Sequence, residues 1–504
     1  MRGVRIECMS RRRANWAAGV CVLSGLAVGL GVLSGCKPVG PDYQKPAYTA
    51  PAAYKETGAP TVQPPPSPQG GSWQPASPSD GLLKGKWWEV YGDPQLNSFE
   101  ERIATSNPSL RQALETYLAA RDQIAVARAN LFPTVSAGPG FSHVRSSAHR
   151  PLASATSPTS YNDLTLEAQG SWEPDFWGRV RRSVEAAHEN AQASAAEMAS
   201  VDLSLQAQMA TAYFQLRGAD SLIQFLDSTV KDLTNQLDLT QRRLKGGVAT
   251  EADVAQARTE LETVRAQRVD VEQSRAQFEH AVGTIANYDL ASFSIPFSPL
   301  NLAMPNIPVG VPSQLLERRP DIAAAERRTA AANAQIGIAV SAFYPTISLG
   351  GTGGFESTHG GTWIQGPSAL WSLGAQATEL LFDAGQRHAL TDQARHDYEA
   401  QAAGYRNTVF LAFEDVEDQL ASLRVLEQEA VAEQAAVASA QHSFAISNQR
   451  YKGGVTSYLE VLTAEQTLLQ NQQTAVGLQT RQFVASVGLI RSLGGGWDVG
   501  QMPR

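Results

Sequence analysis

Residues 107–136 recur 212 positions later as residues 319–348, and their punctuation recurs with them. Asn107-Pro108 becomes Arg319-Pro320, Gln123-Ile124 becomes Gln335-Ile336, and Leu131-Phe132-Pro133-Thr134-Val135-Ser136 becomes Phe343-Tyr344-Pro345-Thr346-Ile347-Ser348. A second echo, at an offset of 207, turns Arg243-Leu244-Lys245-Gly246-Gly247-Val248 into Arg450-Tyr451-Lys452-Gly453-Gly454-Val455. One structural unit is written twice, and duplicated units of this size pack as quasi-equivalent parts of a ring, tube or bundle. The repeat therefore points to an architectural role.

Proline supplies the ruler within each copy. The chain has 27 prolines, yet none falls between Pro174 and Pro296 or between Pro367 and Pro503. Because proline breaks helix interiors, these gaps predict long helices over 183–244 and 388–451, segments dense in Ala, Gln, Glu, Leu and Arg. Each runs for roughly 60 residues, about 90 Å at helical rise. Across a Gly-Gly turn each is followed by a return helix reaching Asn287 or Leu493. Leu226, Val230, Leu233, Leu237 and Leu244 recur at the three- and four-residue spacing of a coiled-coil seam. The opposite faces are polar, which fits a tube with a wet interior and equally a solvated bundle surface.

Four short segments have a period of two. Val135, Ala137, Pro139 and Phe141 alternate with small polar residues, as do Leu164, Leu166, Ala168, Gly170 and Trp172. The second copy repeats the pattern in Ile347, Leu349, Gly351, Gly353 and Phe355, and in Trp371, Leu373, Ala375 and Ala377. Strands with one apolar and one small polar face, each about 9 to 11 residues long, match outer-membrane barrel strands better than a soluble sheet. Phe132, Trp177, Tyr344, Trp363 and Phe382 flank them as interfacial aromatics do. Four strands cannot close a barrel, and open edges are not tolerated in lipid. The chain must then assemble, and three copies give twelve strands.

The amino terminus sets the compartment. A basic start, a short apolar run over 16–33 and Leu33-Ser34-Gly35-Cys36 have the layout of a lipoprotein signal, so cleavage is expected after residue 35 and acylation at Cys36. Lys37 after the cysteine resembles lipoproteins sent to the outer membrane of a Gram-negative bacterium. Residues 36–85 carry eleven of the prolines and read as an extended tether, with Trp87-Trp88 opening the folded body. Cys8 and Cys21 leave with the signal, so no disulfide or thiolate metal site is expected. The formal charge of −8 invites no nucleic acid.

No catalytic constellation, metal site or cofactor motif stands out. His388 and His396 lack a carboxylate at ligand spacing, and Gly350-Gly351-Thr352-Gly353-Gly354 lacks the Lys-Ser/Thr of a phosphate loop and lies within an alternating strand. Glu414, Asp415, Glu417 and Asp418 read as a wet helix face. At the Gly-Gly turns, basic residues followed by glycine suit a helix C-terminus, and Thr250 with Asp253 and Ser457 with Glu460 read as capping boxes opening the return helices.

Taken together, the NP and RP helix starts, the FPT-S and YPT-S strand starts, the two KGGV turns and Leu493-Gly494-Gly495-Gly496-Trp497 resemble the outer membrane factor family of tripartite efflux pumps (TolC/OprM-like). The lipobox favours its NodT-type lipoprotein branch. The resemblance implies a mixed α and β membrane protein: a homotrimer with a 12-stranded outer-membrane β-barrel, four strands per chain, continued by a long periplasmic α-helical barrel. It implies an exit duct for small molecules, fed by a periplasmic adaptor protein and an inner-membrane transporter of RND type. It places Gly246, Gly247, Val248, Gly453, Gly454 and Val455 at the periplasmic tip facing the adaptor, and makes Tyr451, Asp253 and Glu460 candidate gate residues. Thr456 and Thr463 stand where the TolC pattern has an arginine and an aspartate, so the closed state relies less on that ion-pair network. The expected divisions are a signal at 1–35, the lipidated tether at 36–85, repeats at 86–300 and 301–497, and a tail at 498–504. A non-conducting coiled-coil envelope or adhesion lipoprotein is the alternative, with no need of two equivalent strand sets.

Overall fold

The computed structural model describes residues 37–48, 50–51, 53–56, 85–147, 160–307, 317–497 and 500. The expected signal segment and Cys36 lie outside them. After α1 (Pro94–Ser106) the same series of elements occurs twice. The first series is α2 (Pro108–Ala129), β1 (Thr134–Arg145), β2 (Ser160–Trp172), α3 (Arg179–Lys245) and α4 (Glu251–Ile285). The second is α5 (Pro320–Ser341), β3 (Thr346–Ser357), β4 (Ala369–Thr378), α6 (Gln386–Lys452) and α7 (Tyr458–Ser492). The duplication extends to helix length: 22 residues for α2 and α5, 67 for α3 and α6, and 35 for α4 and α7.

The two long helices start slightly earlier than proline spacing predicts, and the cause is the same in both copies. Gly178 and Gly385 take positive φ and turn the chain into the helix. Asp175 then accepts from the Val180 and Arg181 amides at 3.0 and 2.9 Å, and Asp383 from the Arg387 amide at 3.2 Å, satisfying first-turn donors that have no partner inside the helix. The shorter helices also start alike. Asn107 caps α2 through the Ser109 and Leu110 amides and donates to the Ile285 carbonyl at 2.7 Å, while Arg319, before α5, donates to the Ser492 carbonyl at 3.3 Å. Different side chains thus tie each copy's first helix to the end of its return helix.

The backbone divides into two compact units, and each draws on both copies. One comprises the chain up to Pro46, Leu118–Ala191 and Glu326–Ala403; the other comprises Ala47–Tyr117, Gln192–Ala325 and Gly404–Arg504.

The first unit holds an antiparallel sheet in the order β1-β2-β3-β4. Its register pairs Ala137 with Ala168, Ala168 with Gly353 and Gly353 with Trp371, so the four alternating apolar sets predicted from sequence share one face. Thr134, Ser136, Glu167, Gln169, Thr352, Ser372 and Gln376 share the other. Gly354 is required by close strand approach, since a Cβ there would lie 2.1 Å from the Leu166 carbonyl oxygen. Next to the sheet, Trp177 stacks on Tyr344 at 4.9 Å and donates to the Pro345 carbonyl. Residues 39–42, at the start of the expected tether, are seated on this unit: buried Arg182 donates to the Val39 and Gly40 carbonyls and the Asp42 carboxylate, and Asn333 donates to the Pro41 carbonyl.

The second unit carries the main core, with Trp87, Leu96, Ile103, Met209, Tyr213, Phe214, Phe483 and Ile490 almost fully buried. Trp87–Tyr91 forms a 3-10 turn, and Tyr91 meets Ser486 at 2.7 Å between hydroxyls. Two of the four acidic residues read as a wet face are in fact engaged. Glu417 accepts from the Lys55 and Glu56 amides of the tether, and Asp415 pairs with Arg319 at 3.1 Å. Both carboxylates stay partly exposed, so it is the nearby amides and guanidinium that engage them, which composition alone does not reveal.

Candidate functional site: the two hairpin tips

Both Gly-Gly turns end their helices in the same way. Val248 donates to Arg243 at 2.9 Å and Gly247 to Leu244 at 2.9 Å; Val455 donates to Arg450 at 2.9 Å and Gly454 to Tyr451 at 3.0 Å. These are paired Schellman closures, and they need a left-handed residue, supplied by Gly247 at φ 67° and Gly454 at φ 75°. Gly246, Gly453, Val248 and Val455 are solvent-exposed, so each tip presents an apolar side chain to its surroundings.

The return helices begin differently. Thr250 and Asp253 form the predicted capping box, with the Asp253 amide donating to Thr250 Oγ1 at 3.2 Å and the Thr250 amide to Asp253 Oδ2 at 2.8 Å. Ser457 and Glu460 do not: the Ser457 side chain makes no capping hydrogen bond, and Glu460 is exposed. The start of α7 is held instead by burial of Tyr458 and Val461. Accordingly, Thr250→Ala is expected to weaken the first turn of α4 by about 1 kcal/mol, seen as roughly fivefold faster amide exchange, while Ser457→Ala changes α7 by less than about 0.5 kcal/mol.

Of the three candidate gate residues, Tyr451 is the most constrained. It is buried against Tyr458 with ring centroids 5.4 Å apart, and the Arg243 guanidinium lies 4.4 Å over its ring while donating to its carbonyl at 3.2 Å. Burial pushes its phenol pKa up, against the opposing charge of Arg243 and with that of Asp253. Asp253 thus lies within electrostatic reach of Tyr451, whereas Glu460 is exposed.

Behind the tips the two hairpins pack through small residues. A Cβ on Gly218 of α3 would meet Thr480 Oγ1 of α7 at 2.2 Å, and within the second hairpin one on Gly488 of α7 would meet Gln419 Oε1 of α6 at 2.5 Å. A groove of about 1290 Å³ lies between the hairpins, lined among others by Gln215, Leu222, Phe278, Val425, Thr480 and Val484. Sequence reasoning passed over Glu260 and Glu465, both buried where the return helices meet. The signal was present: Tyr458, Val461, Glu465 and Leu468 follow a three-four-three apolar spacing, so a carboxylate occupies a seam position.

Elsewhere, His388 packs its ring against Phe343 at 5.0 Å, and among the described residues no group of three or more His, Cys, Asp or Glu is placed to hold a metal ion. No described helix is long and apolar enough to cross a membrane.

The comparisons agree with this geometry. The family model described as outer membrane efflux protein matches residues 101–287 and 311–495, once in each copy. The chain is 32% identical over 483 residues to the probable efflux pump outer membrane protein TtgC of Pseudomonas putida, covering 94% of this chain and 96% of that one. It is 31% identical to the outer membrane protein OprJ of Pseudomonas aeruginosa, over 88% of this chain and 93% of OprJ. Among solved structures it is similar to the outer-membrane channel OprN, with a TM-score of 0.81 and 28% identity over 91% of this chain and 99% of OprN. A duplicated chain with paired barrel-type strands and two long hairpins, matched by the family model in both halves, belongs to the outer membrane efflux protein family.

Proposed function

We propose that this chain is the exit duct of a tripartite efflux system, working as a homotrimer whose twelve strands close a barrel in the outer membrane. The observation that carries this reading is the register of the sheet. All four apolar sets lie on one face and the small polar residues on the other, while β1 and β4 stand as edges. An edge in lipid must be paired, and the four strands of one chain are too few to surround a passage. Trp371, Leu373, Phe141 and Val135 are strongly exposed in the single chain, as suits lipid-facing positions. On α6, Phe410, Leu411, Val425 and Val431 are exposed as well, which suits cover by a second copy.

In this reading Cys36 carries the acyl anchor, residues 36–85 tether it to the body, and the copies at 86–300 and 301–497 build the wall. The tips at Gly246-Gly247-Val248 and Gly453-Gly454-Val455 meet a periplasmic adaptor, which links them to an inner-membrane transporter of RND type. Tyr451 and Asp253 hold the mouth, and Glu460 is free to contact a neighbouring copy. The duct is permissive and conducts passively, with no catalytic step.

The purified acylated protein is expected to form ion-conducting trimers in planar bilayers. A monomeric, non-conducting product would overturn the reading. A deletion strain should gain sensitivity over a compound panel that includes antibiotics and toluene, the cargo named for two relatives' pumps.

A further inference from the structure

Near the tips, the return helices of the two hairpins meet through a polar ladder. Gln466 on α7 donates to Glu260 on α4 at 2.7 Å, and seven residues further along each helix Gln473 donates to Gln267 at 3.2 Å. Glu465, next to Gln466 on α7, brings a second carboxylate to the first rung, and both carboxylates are buried. Glu260 and Glu465 are each only 8% exposed, and Glu465 Oε2 has no hydrogen-bond partner among the described residues.

The groups around Glu465 supply no counter-charge. Burial, then Glu260 on α4, then Asp232 on α3 all act on it in one direction. Tyr458, seven residues earlier on the same helix, feels the Glu465 charge as well, and Tyr451 of α6 packs on Tyr458. Arg243, a cation of the tip, is committed to the Tyr451 ring and carbonyl.

We infer that Glu260 and Glu465 form a proton-dependent latch between the two hairpins, holding the tips together while Glu465 is protonated and parting them when it ionises. An uncompensated carboxylate in this seam would face a like charge across a buried interface, and separation of α4 from α7 exposes it to solvent. The titration falls in a useful range, since Glu465 is pushed up to about 7, chiefly by burial and then by Glu260. The sign follows from proton binding. The folded tip binds more protons than the unfolded chain between the ordinary glutamate value and about pH 7, so its stability is full at lower pH and falls as pH rises through that window. Glu260 and Glu465 are positioning residues for the tips, and their link to conductance rests on the proposed placement of the tips at the channel mouth.

The test uses the intact acylated protein in detergent and in planar bilayers between pH 5.5 and about 8.5. Amide exchange in the first turns of α4 and α7, corrected for intrinsic rates, should rise at least about tenfold across this range in the wild type. In Glu465→Gln it should stay flat, and in Glu260→Gln the midpoint should move to lower pH. An infrared carboxylic-acid band lost in Glu465→Gln should titrate with the same midpoint. A Glu465→Gln protein that keeps the wild-type exchange profile overturns the latch. Channel conductance should rise over the same window. If exchange titrates and conductance does not, the latch stands and the placement of the tips at the mouth fails.

Discussion

Asp220→Ala is expected to destabilise the helical body by about 3–5 kcal/mol, enough to remove most folded protein from the outer membrane. Asp220 is fully buried and accepts three hydrogen bonds: from Arg217 at 3.0 Å, Arg275 at 2.6 Å and the Ser298 amide at 3.0 Å. The two arginines also donate to carbonyls of the segment after α4, Arg217 to Pro296 and Arg275 to Ile295, both at 2.8 Å. One carboxylate therefore joins α3 to α4 and to the chain that leads into the second copy. Its removal leaves the buried Arg217 guanidinium without a carboxylate, while Arg275 keeps only Glu279, and the cost of an uncompensated buried charge far exceeds the worth of a surface pair. Asp227→Ala supplies the control, because its partnership with Arg268 is on the surface and should cost no more than about 1 kcal/mol. Denaturant midpoints of the purified proteins in detergent separate the two. Equal losses would show that the Asp220 network carries no special weight.

Gly494→Ala is expected to cost about 3 kcal/mol, and the loss has two separable parts. Gly494 closes α7 at φ 92°, a backbone region unfavourable to any residue with a Cβ by about 1 kcal/mol. A methyl group there would also lie 2.1 Å from the Arg318 carbonyl oxygen and 2.7 Å from its carbon. That backbone cannot retreat freely, because the next residue, Arg319, is held by Asp321, Asp415 and the Ser492 carbonyl. Overpacking against a fixed neighbour adds about 1–3 kcal/mol. Gly454→Ala carries only the first part: φ is 75°, and nothing lies within 4 Å of the added Cβ. Its cost should be about 1 kcal/mol, and thermal melts of the two variants in parallel give the difference. If Gly454→Ala proves as harmful as Gly494→Ala, contact with Arg318 is not the cause.

The single-position differences between the copies bear on the proposed gate. Offset by 207, Leu244 corresponds to Tyr451 and Asp253 to Glu460. Thr250 caps α4 through Asp253, so that carboxylate is occupied locally, whereas Glu460 is exposed and left for another partner. The same backbone closure thus carries a saturated tip in one copy and an unsaturated one in the other.

Much of this molecule is legible without coordinates, and the reasons are local. Proline exclusion and the Gly-Gly turns give the helices, because a missing amide and a left-handed φ act on the residue that carries them. The capping box at Thr250 is equally local, while the similar pattern at Ser457 shows its limit, since burial of Tyr458 can hold a helix start without a cap. Two-residue alternation gives the strands and the sides they present.

Partnership across sequence distance is decided only by the tertiary structure. Nothing in the one-dimensional pattern says that Asp220 meets Arg275, that Glu417 receives the tether's amides, or that Glu465 faces Glu260. A charge on an apolar seam is visible as an anomaly, but its consequence depends on what the facing helix brings. The sequence by itself determined the duplicated elements, their caps and their faces, because these follow from backbone chemistry and periodicity. The register of β2 on β3, the interleaving of the two copies in both compact units and the buried carboxyl rung between the hairpins were decided by packing, where shape and desolvation act between residues that the chain keeps far apart.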